Sequence, residues 1–311
     1  MPYFTIKNIT ESFFEATYNC NPYRQKTKIY YMIQAFYYTK DNNSINEILT
    51  SLREDEAVNN KIISLIPKCI KHIEEGEKGS FILYTIDRKK IVNVFVLLRF
   101  KLFISGELRE DSIQLLVNQI DVRKDIIEKV YGPLDLLKLY TSTLKENQDI
   151  STKTSMETIL MKLTVLNKIC FTSGNFRKAN KEDTDEISIL IGDFLSEALN
   201  TNDMKGAKRT AESFIEKGNA FVLEFNKEIV CISAIVRNLE NHVAISYVYT
   251  KLTCRGKGYA TKCVGELSRL ILDERGKHCI LFADKHNEKS QKVYRNLGYA
   301  EISEFREIRF Y

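Results

Sequence analysis

A mixed α/β sheet with helices on both faces is the fold class predicted for this chain, and two observations predict it. Residues 175–311 alternate between helical and strand periodicity in a definite order: two helices, three strands, then helix, strand, helix and a last extended segment. Residues 74–99 carry a fainter copy of the middle of that order, so the 311-residue chain reads as two units. The boundary is expected between Leu163 and Arg177, giving an N-terminal domain over 1–170 and a C-terminal domain over 171–311.

The copy is visible residue by residue. "EEGEKGSFILYTIDRKKIVNVFVLLR" (Glu74 to Arg99) parallels "IEKGNAFVLEFNKEIVCISAIVR" (Ile215 to Arg237). Each shows a helix end, a glycine, a strand, a polar turn and an Ile-Val pair opening a second strand. Ile91 and Ile229 are 138 residues apart, with one extra residue assigned to the earlier turn. Beyond Arg99 the first unit runs "FKLFISGELREDSIQLL", with no glycine pair ahead of its helix.

In the second unit, Ile187, Leu190, Ile191, Phe194, Leu195 and Ala198 recur at helical spacing behind a cluster of acids, with Asn200 as the stop. A second helix over about 205–217 ends at Gly218, where a left-handed cap is expected. The period then becomes two. "AFVLEF" and "IVCISAIVR" form a hairpin around residues 226–228, and "HVAISYVYT" (His242 to Thr250) pairs next. A helix follows from Tyr259 to about Glu274, then the strand "CILFAD", a short helix from about Glu288 to Leu297 stopped by Gly298, and the extended tail "FREIRFY".

Composition removes several function classes. The formal charge of +5 comes from nearly balanced acids and bases, without the one-sided field or interleaved aromatic residues of a nucleic-acid binder. The N-terminal "MPYFTIKNITESFF" has neither a basic nor an apolar signal region. The longest apolar run, Ile91 to Ile104, is broken by Asn93, Arg99 and Lys101 and is too short for a bilayer. Seven cysteines (Cys20, Cys69, Cys170, Cys231, Cys254, Cys263 and Cys279) show no disulfide or zinc spacing, and no metal is expected. A cytoplasmic protein follows, with neither nucleic acid nor membrane as partner; the oligomeric state is not encoded in anything legible.

The chemistry concentrates in "TCRGKGYATK", Thr253 to Lys262, between a strand and a helix. A glycine-containing loop at a helix start gathers free backbone N–H groups and the positive end of the helix dipole, which together bind anions such as phosphate. Arg255, Lys257 and Lys262 add charge there. The spacing is not that of a Walker A loop. Thr261 occupies the third glycine position of a dinucleotide fingerprint. A tight basic turn is the plain alternative.

Arg255, Gly258 and Ala260 do fit R-x-x-G-x-A, and here the chain resembles the GNAT superfamily of acyl-CoA N-acyltransferases. The likeness covers Asn175 to Tyr311, through "YVYT", "RGKGYAT" and "LFADKHNEKSQKVYRNLGY". It is similar to bacterial two-unit acetyltransferases whose N-terminal unit is a degraded copy. The resemblance implies a GNAT fold in the C-terminal half and a degenerate GNAT-like unit in the N-terminal half. It implies acetyl-CoA as acyl donor, with its pyrophosphate on the loop amides of Arg255, Gly256, Lys257, Gly258, Tyr259, Ala260 and Thr261. The pantetheine arm would lie along a splayed strand at Tyr247, Val248, Tyr249 and Thr250, with Asn287 and Ser290 near the cofactor. Tyr294 is the implied general acid.

The residues themselves agree in part. Asn287, Ser290 and Tyr294 share one helix face, although Tyr294 also reads as a core tyrosine. The implied reaction is direct attack by a primary amine on the thioester, the acceptor being unidentified. Base candidates are Glu240, His242, Ser246 through a water, Asp284 and His286, each with an ordinary structural alternative. Glu197 is a candidate for contacting a cationic substrate. An acyl-cysteine route through Cys254 or Cys263 and a non-catalytic acyl-CoA sensor are the rivals.

Overall fold

The computed structural model describes residues 33–39, 44–168 and 171–311. The N-terminal signal reading, Cys20 and Cys170 lie outside them. The chain forms two compact units, and their limits are not a single cut near residue 170. The first holds residues up to Asp55, Lys61–Met156 and Phe305–Tyr311. The second holds Glu56–Asn60 and Glu157–Glu304.

In the first unit the strands β1 (Ile33–Tyr37), β2 (Phe81–Asp87), β3 (Lys90–Leu98), β4 (Lys101–Gly106) and β5 (Lys129–Pro133) lie in sequence order. The end of β12 (Ala300–Phe310) pairs antiparallel with β5, Phe305 opposite Pro133 and Arg309 opposite Lys129. The helices α1 (Ile45–Arg53), α3 (Glu110–Gln119) and α4 (Leu134–Asn147) belong here, with α2 (Glu56–Glu74) beyond its first turn. Its core interleaves Leu83, Phe95 and Leu97 of the sheet with Ile113 and Leu116 of α3 and Leu137 and Tyr140 of α4.

Glu307 of β12 is a buried carboxylate in this unit, held by Lys101, by Lys129 Nζ at 3.0 Å and by the Ser155 hydroxyl at 2.8 Å. Burial alone would raise its pKa. The hydrogen bond and charge of Lys101, with Lys129 and Ser155, outweigh that and bring it down to about 2.

The second unit orders its strands β6-β11-β10-β9-β8-β7. These are the end of β6 (Thr152–Leu163), then β11 (His278–Asp284), β10 (His242–Thr250), β9 (Glu228–Asn238), β8 (Ala220–Phe225) and β7 (Asn175–Lys178). The helices α5 (Thr184–Leu199) and α6 (Met204–Glu216) cover one face, where Ile187, Leu190 and Ala211 pack with Val222, Ile232 and Tyr249. The helices α7 (Tyr259–Arg275) and α8 (Glu288–Leu297) cover the other, where Val264, Leu267 and Leu297 pack with Ile245, Leu281 and Ile159.

The two hairpins of the internal copy share a two-residue turn. Arg88 and Lys89, and Asn226 and Lys227, all take positive φ between 47° and 71°. This primed turn matches the right-handed twist of the flanking strands. The extra residue assigned to the earlier turn sits instead in β2, seven residues long against six in β8.

Candidate active site

Two features of β10 set up the site. It pairs in parallel with β11 only from His242↔His278 to Ile245↔Leu281, while β11 continues to Asp284 against β6. From Ser246 to Thr250, β10 therefore has no partner strand on that side among the described residues, and the two strands part there. Opposite, β10 bulges against β9 between the pairs Ser246↔Ala234 and Tyr249↔Ile232. Tyr247 takes φ +53° within the bulge, a conformation that costs a non-glycine residue on the order of 1–3 kcal/mol. The bulge shifts the alternation by one residue. Ile245 and Val248 thus both pack on the α7/α8 side, whereas Tyr247 and Tyr249 pack under α5 and α6.

The loop after β10 passes through a 3-10 turn, Leu252–Cys254, and enters α7 at Gly258. Gly256 and Gly258 have φ of +78° and +82°. A side chain at Gly256 would meet nothing, and one at Gly258 only Thr172 at 3.7 Å, so backbone angle rather than space requires glycine at both. Among the described residues no side chain caps the α7 N-terminus, and its first turn holds no acid. In the first unit, by contrast, α3 begins with Glu110 and Asp111, with Arg109 engaged by Asp87 and Asp111. There β4 pairs with β5 from Lys101↔Lys129 to Phe103↔Tyr131, and a Cβ on Gly132 would lie 2.4 Å from Ile104 Cγ1, so the two strands are still close one residue further on. Among the described residues, the acid-free helix start of the second unit thus has no counterpart at α3.

The basic side chains around the loop do not all face it. Lys262 Nζ donates to the Thr172 carbonyl at 2.9 Å. Arg255 turns back toward β10 and α5, with Nε on the Thr250 carbonyl at 3.1 Å and both terminal nitrogens on Glu197, at 3.1 and 2.7 Å. In this structure the Arg255 charge is directed at Glu197, which raises the guanidinium pKa further, and not at the loop amides. Glu197, a candidate for holding a cationic substrate, is occupied by Arg255. Lys257 is exposed, with no ion-pair partner among the described residues.

On α8, Asn287 is the N-cap. Its Oδ1 accepts the Ser290 N–H at 3.0 Å, and the Ser290 hydroxyl donates to the Asn287 carbonyl at 2.9 Å. These two residues are first a helix cap, while the Asn287 side-chain nitrogen makes no hydrogen bond among the described residues. Tyr294 lies one turn beyond Ser290, is 8% exposed, and packs edge-on against Tyr299 in the cluster that Val248 joins. Burial, with a smaller contribution from Cys231, pushes its phenol pKa upward. The hydroxyl therefore keeps its proton at neutral pH, as a proton donor must and a base must not.

The base candidates separate clearly. His242 lies at the opposite end of β10 from the splay, its Nδ1 2.9 Å from the buried Glu56 carboxylate, which also accepts the Asn241 N–H. Glu240 precedes it in the same loop. His286 Nε2 is 3.2 Å from Glu157, and Asp284 accepts the His286 N–H. Ser246 alone among the candidates stands on β10 where the strands part. Burial raises the Cys263 thiol pKa well above its ordinary value, so the acyl-cysteine route has no thiolate there. Among the described residues, no three His, Cys, Asp or Glu side chains converge to hold a metal ion. No described helix is long and apolar enough to cross a membrane.

Sequence and structure comparisons agree with this fold. Residues 231–308 match the family model described as FR47-like protein, and that span holds most of β9 and all of β10, the loop, α7, β11 and α8. A GCN5-related N-acetyltransferase from Sphaerobacter thermophilus superposes with a TM-score of 0.60 at 11% identity, over 89% of this chain and 95% of that one. The chain has the GNAT fold. An acetyltransferase of the GNAT family from Colwellia psychrerythraea gives 0.57 at 11% identity, over 89% and 98% of the two chains. A tandem GNAT protein from the clavulanic acid biosynthesis pathway gives 0.53 at 8% identity, over 89% and 97%, so the likeness runs through both units. No curated protein matches the chain in sequence.

Proposed function

We propose that the second unit binds acetyl-CoA and transfers its acetyl group to a primary amine by direct attack on the thioester. One observation carries the reading: β10 parts from β11 directly before a glycine loop that opens an uncapped, acid-free helix N-terminus. The free N–H groups from Gly256 to Thr261 suit a pyrophosphate, with Lys257 beside them. The open edge of β10 from Ser246 onward offers backbone partners to the amide groups of a pantetheine arm. Asn287 has a spare donor for the same arm.

Three tasks fall to residues of this chain. Backbone N–H groups at the Tyr247 bulge face developing negative charge on the carbonyl oxygen. As the amine nitrogen bonds to the carbonyl carbon and the carbon–sulfur bond breaks, Tyr294 gives its proton to the leaving thiolate. The proton released by the amine leaves through water at Ser246 and returns the phenol to its starting state. The buried free thiols Cys231, Cys263 and Cys279 fit a reducing, cytoplasmic setting. The partner on this reading is a small amine rather than nucleic acid or a membrane.

The test is release of free CoA thiol from acetyl-CoA against a panel of primary amines. Turnover with at least one amine supports the transferase. CoA binding without thiol release from any amine would leave a sensor in its place.

A further inference from the structure

Arg255 occupies the first position of the loop motif, yet every interaction of its side chain lies on the sheet face away from α7. Its guanidinium carbon sits 5.0 Å from the Tyr249 ring centre. Nε is spent on the Thr250 carbonyl, and the terminal nitrogens on Glu197 in the last turn of α5. Tyr249 packs in the α5/α6 cluster, whereas the loop leads into Tyr259 and Cys263 of α7, in a cluster with Leu223 and Cys231. The guanidinium thus reaches across from the loop to the helix on the opposite face.

That same stretch of α5 touches the bulge. Phe194, three residues before Glu197, has its ring 5.1 Å from that of Tyr247, and Phe214 of α6 stands 5.2 Å from Tyr247 on another side. The end of α5 is therefore joined to β10 at two points. Phe194 meets the residue with positive φ, and Glu197 meets the residue that opens the glycine loop.

We propose that Arg255 and Glu197 form a tie that transmits occupancy of the glycine loop to the last turn of α5, with Arg255 a positioning residue rather than a phosphate ligand. The proposal rests on the acyl-CoA reading above. A pyrophosphate gathering the amides of Gly256 to Thr261 draws in the loop of which the Arg255 backbone is part. A two-pronged guanidinium–carboxylate contact is directional, so the Glu197 carboxylate follows. An exposed pair of this kind adds little to stability, and its effect lies in where it holds α5. Loading the cofactor then fixes the last turn of α5 against Tyr247.

Amide hydrogen exchange at residues 195–200, measured with and without CoA, tests this in the wild type, Glu197→Gln, Arg255→Gln and the double variant. In the wild type, CoA should slow exchange there by about threefold or more. Each variant should bind CoA within about threefold of wild type by calorimetry and lose that slowing, the double no further than either single. Weakening of CoA binding by tenfold or more in Arg255→Gln, with Glu197→Gln unaffected, would make Arg255 a phosphate ligand and overturn the tie. So would a wild type that binds CoA with unchanged exchange at α5, or variants that keep the slowing. A wild type that binds no CoA defeats the acyl-CoA reading itself, and the tie with it.

Discussion

Gly258→Val isolates the loop from the rest of the fold. Gly258 is the N-cap of α7 at φ +82° and ψ 5°. An L-residue held in the left-handed region costs about 1–2 kcal/mol, and a β-branched one is worse placed still. The added Cβ meets only Thr172 at ordinary contact distance, so crowding adds nothing. The chain relieves the strain by rotating out of positive φ, which swings the N–H groups of Tyr259 and Ala260 off their common point. Losing two hydrogen bonds to a charged acceptor, at about 1.5–3 kcal/mol each, weakens CoA binding by roughly 10²- to 10⁴-fold. Folding survives, because about 2 kcal/mol is small against the 5–15 kcal/mol of a typical domain. Calorimetric titration with CoA gives the first quantity and scanning calorimetry the second, where a drop of about 4–8 °C is expected. A Gly258→Val protein that binds CoA within threefold of wild type would refute the assignment of these amides to the pyrophosphate.

Further outcomes follow from other residues. Tyr294→Phe should lower kcat by about 10²- to 10⁴-fold while leaving CoA affinity within about threefold, since only the proton donor is removed; an unchanged kcat would clear Tyr294 of that role. Cys263→Ala should retain turnover, and iodoacetamide should leave Cys263 unlabelled in the native protein because the thiol is buried and protonated; loss of turnover would reopen the acyl-cysteine route. Glu307 ionises at about 2 in the folded chain against an ordinary 4.5. Its contribution, about 3 kcal/mol, is therefore complete above pH 4.5 and is lost as pH falls toward 2. Urea titrations from pH 7 to pH 3 should show that loss in the wild type and a shallower dependence in Glu307→Gln; parallel curves would count against the Lys101–Glu307–Lys129 arrangement as its source.

Much of the second unit was legible because its signals are local. Gly218, Asn200 and Gly298 mark helix ends through their backbone freedom, and the change of period at Ala220 marks the first strand of the hairpin. The loop was legible for the same reason, since Gly256 and Gly258 both require positive φ. What the sequence did not show depends on contacts distant along the chain. Nothing near Arg255 points to Glu197, 58 residues earlier, and nothing near His242 points to Glu56, 186 residues away. The bulge at Tyr247 was also hidden, because "ISYVYT" alternates as a regular strand would. The unit limits escaped a linear reading because β6 and β12 each begin in one unit and end in the other. Asn287 and Ser290 fall on the predicted helix face, but that face is partly consumed in capping its own helix.

Calorimetric titration of the full chain with acetyl-CoA tests the central claim most directly. The second unit has an α7 start with no side-chain cap and no acid in its first turn, whereas α3 of the first unit begins with Glu110 and Asp111. One acetyl-CoA per chain, with Kd between about 1 μM and 1 mM and abolished in Gly258→Val, is the expected result. Absence of binding, two equivalents per chain, or binding that Gly258→Val leaves intact would contradict it.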